Sequence, residues 1–302
     1  MEIANFKGKI HRNEPMSKHT SFAIGGPTDI LAYPEDRDDL RRVLSWTREQ
    51  GLNYFILGGG TNLLVRDKGF RGVMISLQRM NEIRIERENR AVGGTYAVVY
   101  AEAGALLAKL LTFAVENGLT GLEFAAGIPG TIGGAVCMNA GTADGEIGDV
   151  INSATLLSPE GGDVVKSKDE MKFSYRTSNI PTGHMVLDVA FALRREAKDR
   201  IKGRVKDLMD MRKERQPLGM PSAGSVFKNP QEESAGKLIE SAGLKGRQVG
   251  GAEVSNKHAN FIVNRGKATA SDVIKLMDFV KQTVLEVHGV RLEPEIKIIG
   301  EE

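Results

Sequence analysis

The sequence has a single cysteine, Cys137, among 302 residues. An intrachain disulfide and a cysteine-based zinc site are thereby excluded, no metal site is expected, and the chain suits a reducing compartment. An excess of charge of one sign is also missing: 41 Lys and Arg against 39 Asp and Glu leave a formal charge of +2. No nucleic-acid or polybasic membrane binding is expected from such a balance, and any anionic partner must be held locally. Long hydrophobic runs are absent. The greasiest stretch, ALLAKLLTFAV, is broken by Lys109, and the N-terminal MEIANFKGKIHRNEPMSKH has no continuous apolar core. Neither export nor a membrane span is expected, so a cytoplasmic location is. No internal repeat or low-complexity tract occurs, and no obligate protein partner is evident.

What is present reads as about two domains by the prior of roughly 150 residues each, with the ordinary globular content of 41% apolar and 26% charged residues. EDRDDLRRVLSWTREQGL predicts an amphipathic helix stopped at Gly51, followed by a buried strand, a triple-glycine turn and a further apolar run in NYFILGGGTNLLV. ALLAKLLTFAVENGLTG predicts a second helix ending at Gly118. The glycine-dense LEFAAGIPGTIGGAVCMNAGTADGEIGD predicts a loop shaped for backbone contact. INSATLLSP and HMVLDVAFALRRE read as strands. The charged helix AKDRIKGRVKDLMDMRKERQP opens the last part of the chain. There SAGKLIESAG reads as a short helix, ANFIVNRG as a strand, TASDVIKLMDFVKQTVLEVHG as a helix capped by Thr269 or Ser271, and VRLEPEIKII as the final strand.

Two glycine loops carry the first chemical signal. A backbone that wraps a pyrophosphate needs residues without a Cβ, so that successive N–H groups point into one concavity and the chain approaches the phosphate oxygens closely. Gly58, Gly59, Gly60, Thr61 and Asn62 meet that need, and so do Gly130, Thr131, Ile132, Gly133 and Gly134. Neither loop carries the Gly-Lys-Ser/Thr of a P-loop, and no G-x-G-x-x-G follows a strand and opens a helix. Either loop alone is equally a tight turn; two in one half point to a large dinucleotide. The second signal is Ser225 in SAGSVFKNP, a serine between glycine and bulky residues with no histidine within thirty positions to act as its base. Read locally, it is a turn hydroxyl bonded to its own backbone, or a hydroxyl placed for some use other than attack.

HTSFAIGG, LGGGTNLLV, GLEFAAGIPGTIGGAVCMNAG, FSYRTS, GSVFKNP, VSNKHANFIVN and LEPEIKIIG occur in this order. Together they resemble the UDP-N-acetylenolpyruvoylglucosamine reductase (UDP-N-acetylmuramate dehydrogenase) family, flavoproteins of peptidoglycan precursor synthesis, roughly from Lys18 to Gly300. The resemblance implies an α+β chain. An FAD-binding half of the vanillyl-alcohol-oxidase (PCMH) type would form two subdomains, 1–83 and 84–198, with an α+β substrate-binding domain over 199–302. It implies noncovalent FAD, its pyrophosphate cradled by Gly58, Gly59, Gly60, Thr61, Asn62 and Leu63 and by Ile128, Pro129, Gly130, Thr131, Gly133 and Gly134.

The family reaction reduces UDP-N-acetylglucosamine enolpyruvate to UDP-N-acetylmuramate. Hydride from NADPH reaches the methylene carbon through the flavin, and a proton then goes to the neighbouring carbon. The resemblance implies Ser225 as the proton donor; the developing carbanion is strongly basic, so the hydroxyl needs no histidine partner. It implies Arg176 as the cation that stabilises the enolate and carboxylate charge, and Glu295 as the catalytic acid. Glu293, two positions away on the same face of a strand, is not excluded by spacing. Without the resemblance, Arg176 and Glu295 could equally be an ordinary surface ion pair.

For the rest of the substrate the candidates are Tyr175, Arg215, Lys228, Asn229, Lys257 and His258, and NADPH and substrate are expected to take turns in one cavity. One departure is visible: some family members close over the substrate with an inserted tyrosine-bearing loop, yet no tyrosine follows Tyr175, so this chain resembles the shorter type. His19 reads as a structural histidine, not a flavin attachment site. Cys137, among small apolar residues, reads as a buried packing thiol. Two rival readings are an FAD-linked oxidase of the same fold, against which GSVFKNP speaks, and a nonenzymatic nucleotide-sugar binder, which would have no use for a flavin.

Overall fold

The protein is described by a computed structural model that covers residues 3–91 and 94–302. Its elements, in chain order, begin with β1 (Lys9–Pro15), β2 (Pro27–Tyr33), α1 (Arg37–Glu49), β3 (Tyr54–Leu57), β4 (Leu63–Val65), β5 (Phe70–Ser76), β6 (Ile83–Ala91), β7 (Gly94–Glu102) and α2 (Leu107–Glu116). The middle of the chain forms β8 (Leu119–Thr120), α3 (Ile132–Cys137), β9 (Gly141–Thr142), β10 (Gly145–Glu146), α4 (Ile147–Val150), β11 (Ile151–Leu157), β12 (Asp163–Ser167), α5 (Lys168–Met171), β13 (Met185–Arg195) and α6 (Lys198–Arg215). The last part adds α7 (Ala235–Ser241), β14 (Gln248–Val249), β15 (Ala252–Val254), β16 (Ile262–Asn264), α8 (Ala270–His288) and β17 (Lys297–Ile299). One four-stranded sheet has the order β1-β2-β5-β3.

Two compact units divide the chain: 1–10, 32–58 and 75–212 form one, and 11–31, 59–74 and 213–302 form the other. In the second unit two short early stretches, 11–31 and 59–74, pack with the C-terminal part. One of them contains β4, which pairs in parallel with β17, Leu64 opposite Ile298.

The first unit is built on an antiparallel sheet in the order β12-β11-β13-β7-β6, with β8 also paired to β13. β13 shows why it lies near the centre: Met185, Leu187, Val189, Phe191 and Leu193 alternate along it and are all buried, the period of two that turns one face of a strand to a core. Burying each such side chain contributes on the order of 1.5–3 kcal/mol. α2 buries Leu107, Leu110, Leu111 and Ala114, the spacing of one helical face. α1 is capped by Asp36, which accepts from the Asp39 N–H. α6 buries only Ile201; it is held through its polar face, where the Arg204 guanidinium donates to Glu123 at 2.7 Å and to Glu196 at 3.1 Å.

In the second unit, α8 faces the core with Val273, Leu276, Met277, Val280 and Val284. They pack with Phe22, Leu64, Val226, Phe227, Val254 and Ile262 in one apolar cluster. Thr269 is the cap of α8, forming a capping box with Asp272, and Gly289 ends the helix at φ +71. Ser271 is not the cap; its N–H and that of Ala270 donate to the Asp67 carboxylate at 2.9 and 2.8 Å.

Two elements differ from the sequence reading. The glycine-dense segment contains the six-residue helix α3. Glycine lowers helix propensity, but the Thr131 cap and the burial of Ile132, Ala135 and Val136 outweigh it. The final strand is only Lys297–Ile299; the LEPE segment before it makes one isolated bridge, Pro294 with Phe227. No helix among the described residues is long and apolar enough to cross a membrane.

Candidate active site

In the first unit Gly58, where the first glycine loop begins, lies against the second glycine loop. A Cβ added at Gly58 would lie 2.9 Å from Thr131 Oγ1 and 4.0 Å from the Gly134 Cα. Gly58 and Gly134 are exposed, so bare main chain faces outward where they approach. Such a surface admits a pyrophosphate to close range, and the residues fit an FAD of that kind. Part of the second loop is committed internally: the Ile132 and Gly133 N–H groups donate to Ala105 O and Ala103 O, both at 2.9 Å. Gly60 is glycine for a protein reason, since its φ is +63 and a Cβ there would come 1.9 Å from the His19 carbonyl oxygen.

Arg176 occupies the second position of a two-residue turn. Ser174 and Thr177 exchange both main-chain hydrogen bonds, at 3.1 and 3.0 Å, and Arg176 has φ +56, a left-handed conformation that strains a residue with a Cβ. The turn is anchored to the end of the glycine segment. Asn139, fully buried, donates to Ser174 O at 3.1 Å and accepts from the Gly148 N–H at 2.9 Å. The guanidinium of Arg176 donates to Gly141 O at 3.2 Å and lies 5.1 Å from the centre of the Tyr175 ring. Arg212 of α6 is its neighbour. It donates to Ala126 O at 2.9 Å, and burial together with the positive charge of Arg176 lowers its pKa below the ordinary guanidinium range. Two guanidinium groups sharing one region repel unless an anion lies among them.

In the second unit the Ser225 and Glu295 segments run side by side. Val226 donates to Asn260 O at 2.8 Å and accepts from the Glu295 N–H at 2.7 Å. Ser225 bridges Phe261, and Phe227 bridges Pro294. The buried Asn260 side chain holds Phe227 by both polar groups, accepting from its N–H at 3.0 Å and donating to its carbonyl at 2.8 Å. Upstream, Ser21 donates to Ser222 O at 2.6 Å and accepts the Ser222 N–H on its carbonyl at 3.1 Å. Among the described residues the Ser225 hydroxyl makes no side-chain hydrogen bond.

Glu293 and Glu295 are told apart by surroundings. Glu293 is exposed and forms an ion pair with Lys228 at 3.3 Å. Glu295 is half-buried, and its carbonyl accepts from the Asn62 amide at 3.1 Å. Asn229 accepts from the Ala235 N–H at 3.0 Å, at the start of α7. His258 is half-buried against Phe261, ring centroids 4.9 Å apart, and accepts from the Asn260 N–H at 3.2 Å; burial lowers its pKa from 6.5. Lys257 donates to Lys213 O and lines a cleft of about 500 Å³ with Lys213, Gln216, Glu253, Ser255 and Arg265. Neither Ser225 nor Glu295 lines it. Arg215 and Tyr175 are exposed. Cys137 corrects an expectation: it is exposed, not buried, because α3 turns Ala135 and Val136 inward and leaves the thiol on its outer face.

Comparison with known proteins decides the family. Residues 28–167 match the family model "FAD binding domain", and residues 216–299 match "UDP-N-acetylenolpyruvoylglucosamine reductase, C-terminal domain". The chain is 48% identical over 297 residues to the UDP-N-acetylenolpyruvoylglucosamine reductase of Clostridium novyi, covering 98% of this chain and 94% of that relative. It is 47% identical over 296 residues to that of Caldanaerobacter subterraneus subsp. tengcongensis, covering 98% and 95%. The chain belongs to the UDP-N-acetylenolpyruvoylglucosamine reductase family. The crystal structure of the reductase from Thermus caldophilus superposes with a TM-score of 0.79 at 36% identity, covering 96% of this chain and 99% of that one. This reductase-family chain is thus an FAD-dependent oxidoreductase of α+β class with an FAD-binding domain.

Sequence reading did not single out Asn62 for its side chain, nor Asn139, Asn260 or Arg212 at all. All three asparagines stand inside the quoted family motifs, which is the one signal that could have found them. Arg212, three residues before Arg215 on the charged helix, gave none.

Proposed function

We propose that the protein reduces UDP-N-acetylglucosamine enolpyruvate to UDP-N-acetylmuramate with NADPH, with Ser225, Glu295 and Arg176 at the reacting group. The observation that carries this reading is the 2.7 Å hydrogen bond from the Glu295 N–H to the Val226 carbonyl, which ties the acid to the residue next to the serine. FAD, when bound, supplies hydride transfer from NADPH to the methylene carbon of the enolpyruvyl ether.

Addition of that hydride pushes the alkene electron pair onto the carbon bearing the carboxylate. Ser225 donates its proton there, which completes the saturated lactyl ether, and solvent reprotonates the hydroxyl. A strongly basic carbon acceptor needs no acidic donor, which suits a hydroxyl outside any hydrogen-bonded relay. Arg176, with Arg212 as a second cation in its unit, binds and stabilises the anionic end; fixed donors aimed at developing charge are typically worth about 10²–10³ in rate. Glu295 shares a hydrogen bond with the carboxylate end of the substrate.

The main chain of Gly58, Gly59, Gly60, Thr61, Asn62 and Leu63, and of Ile128, Pro129, Gly130, Thr131, Gly133 and Gly134, holds the cofactor. Tyr175, Arg215, Lys228, Asn229, Lys257 and His258 serve the sugar and diphosphate. Functionally, 1–83 and 84–198 are the cofactor subdomains and 199–302 the substrate domain. NADPH and substrate take turns in one cavity, and the enzyme works in the cytoplasm on peptidoglycan precursors. The test is anaerobic: after NADPH has bleached the flavin, the enolpyruvyl substrate restores the oxidised spectrum. A flavin that stays bleached contradicts the proposal.

A further inference from the structure

Asn62 ends the first glycine loop, yet its side chain points to the protein. Its side-chain amide donates to the Glu295 carbonyl at 3.1 Å, and the Asn62 main-chain carbonyl accepts the Lys297 N–H at 3.0 Å. Directly beyond, Leu63–Val65 and Lys297–Ile299 pair in parallel. Since the Glu295 N–H is taken by Val226 O at 2.7 Å, both polar groups of the Glu295 main chain are committed. The N–H is tied to the serine segment, the carbonyl to the glycine loop.

We propose that the Asn62 side chain is a positioning group for Glu295. The glycine loop then serves two ends: its main chain meets the cofactor, and its terminal amide sets where the acid stands. The physical basis is the short reach of the interaction. Glu295 follows Pro294 in a segment outside any regular strand, so the two main-chain hydrogen bonds contribute directly to the orientation of its peptide groups. Loss of one lets the peptide rotate, and a misplacement of about 1 Å costs on the order of 10²-fold in a reaction that depends on alignment. An alternative use of the same amide, as a donor to a cofactor phosphate, would need it turned away from the Glu295 carbonyl.

The inference rests on Glu295 acting on the substrate, and the experiment separates the two ideas. Asn62→Ala keeps the main-chain N–H and carbonyl and removes only the amide; Asn62→Ser, which retains a short donor, is the second variant should the alanine protein fold poorly. Three measurements are made on the FAD-bound protein: FAD affinity by fluorescence titration, anaerobic flavin reduction by NADPH, and reoxidation by the enolpyruvyl substrate. Expected are an FAD affinity and a reduction rate within about threefold of the parent and a reoxidation slowed by about tenfold or more. Hydrogen exchange of the 293–297 amides becomes faster in the same variant. In the Glu295→Gln background Asn62→Ala adds no further slowing, because its effect runs through the carboxyl group.

A variant that binds FAD more than tenfold more weakly but reoxidises normally once saturated would assign the amide to the cofactor and overturn the proposal. Full additivity with Glu295→Gln would overturn it as well. Normal reoxidation by Glu295→Gln alone would instead remove the role of Glu295 on which it rests.

Discussion

The buried amide of Asn139 donates to the Ser174 carbonyl at 3.1 Å, fastening the strained turn of Arg176 to the far end of the glycine-rich segment. Asn139 is itself left-handed, φ +42, a conformation asparagine tolerates better than most residues. Asn139→Ala should therefore combine the loss of two buried hydrogen bonds with backbone strain, a destabilisation of about 2–4 kcal/mol. Denaturant unfolding checks the stability. Folded variant should reoxidise slowly with substrate, because the Arg176 turn has lost its anchor.

Arg176 separates strain from function. Arg176→Gly relieves the left-handed strain, worth about 1–2 kcal/mol, and gives back part of it as chain entropy. The melting temperature is expected to stay level or rise while substrate reduction falls by about 10²-fold or more. Strain retained at a residue whose removal does not destabilise the fold marks a position held for chemistry.

Asn260 is expected to behave differently. Its side chain pairs both polar groups of Phe227 at 3.0 and 2.8 Å, next to Ser225. Asn260→Ala leaves a buried donor and a buried acceptor unpaired, a cost of about 2–4 kcal/mol. Asn260→Asp keeps the acceptor but turns a second oxygen on the Phe227 carbonyl, so it should be no milder. Urea unfolding of both variants measures this.

His258 gives a pH signature. Burial holds its folded-state pKa below the ordinary 6.5, with Lys245 acting in the same direction and Glu240 against it. The unfolded chain then binds more protons than the fold just below pH 6.5, so this group favours the fold above 6.5 and penalises it as pH falls through the folded pKa. His258→Gln should flatten the decline in stability below pH 6.5 and leave stability above it nearly unchanged. Unfolding midpoints measured from pH 7.5 to 5 test the sign.

Much of this was legible in the sequence where the signal is local. The 3.6-residue spacing in α1, α2 and α8, the Thr269 cap and the glycine stops depend on neighbours within a turn or two. The antiparallel pair of β6 and β7 escaped because Arg84, Glu86, Arg87, Glu88 and Asn89 of β6 are exposed and polar, without the sustained apolar alternation that marks a half-buried strand. α3 escaped because its glycines argue against a helix that tertiary packing imposes. The asparagines escaped for another reason: Asn62 serves a residue 233 positions away, Asn139 one 35 away and Asn260 one 33 away. Their amide groups have no periodicity that announces such partners. Ser225, Arg176 and Glu295 are proposed through the family motifs alone, since by itself each is a common surface residue type.

The central claim is that the Ser225 hydroxyl delivers the proton, and one measurement bears on it most directly: anaerobic reoxidation of NADPH-reduced Ser225→Ala protein by the enolpyruvyl substrate in D2O, with the product analysed by NMR. Normal flavin reduction, reoxidation slowed by about 10²-fold or more, and, for the parent enzyme, deuterium on the carbon bearing the carboxylate are predicted. Full-speed turnover by Ser225→Ala with the same stereospecific label would contradict the account.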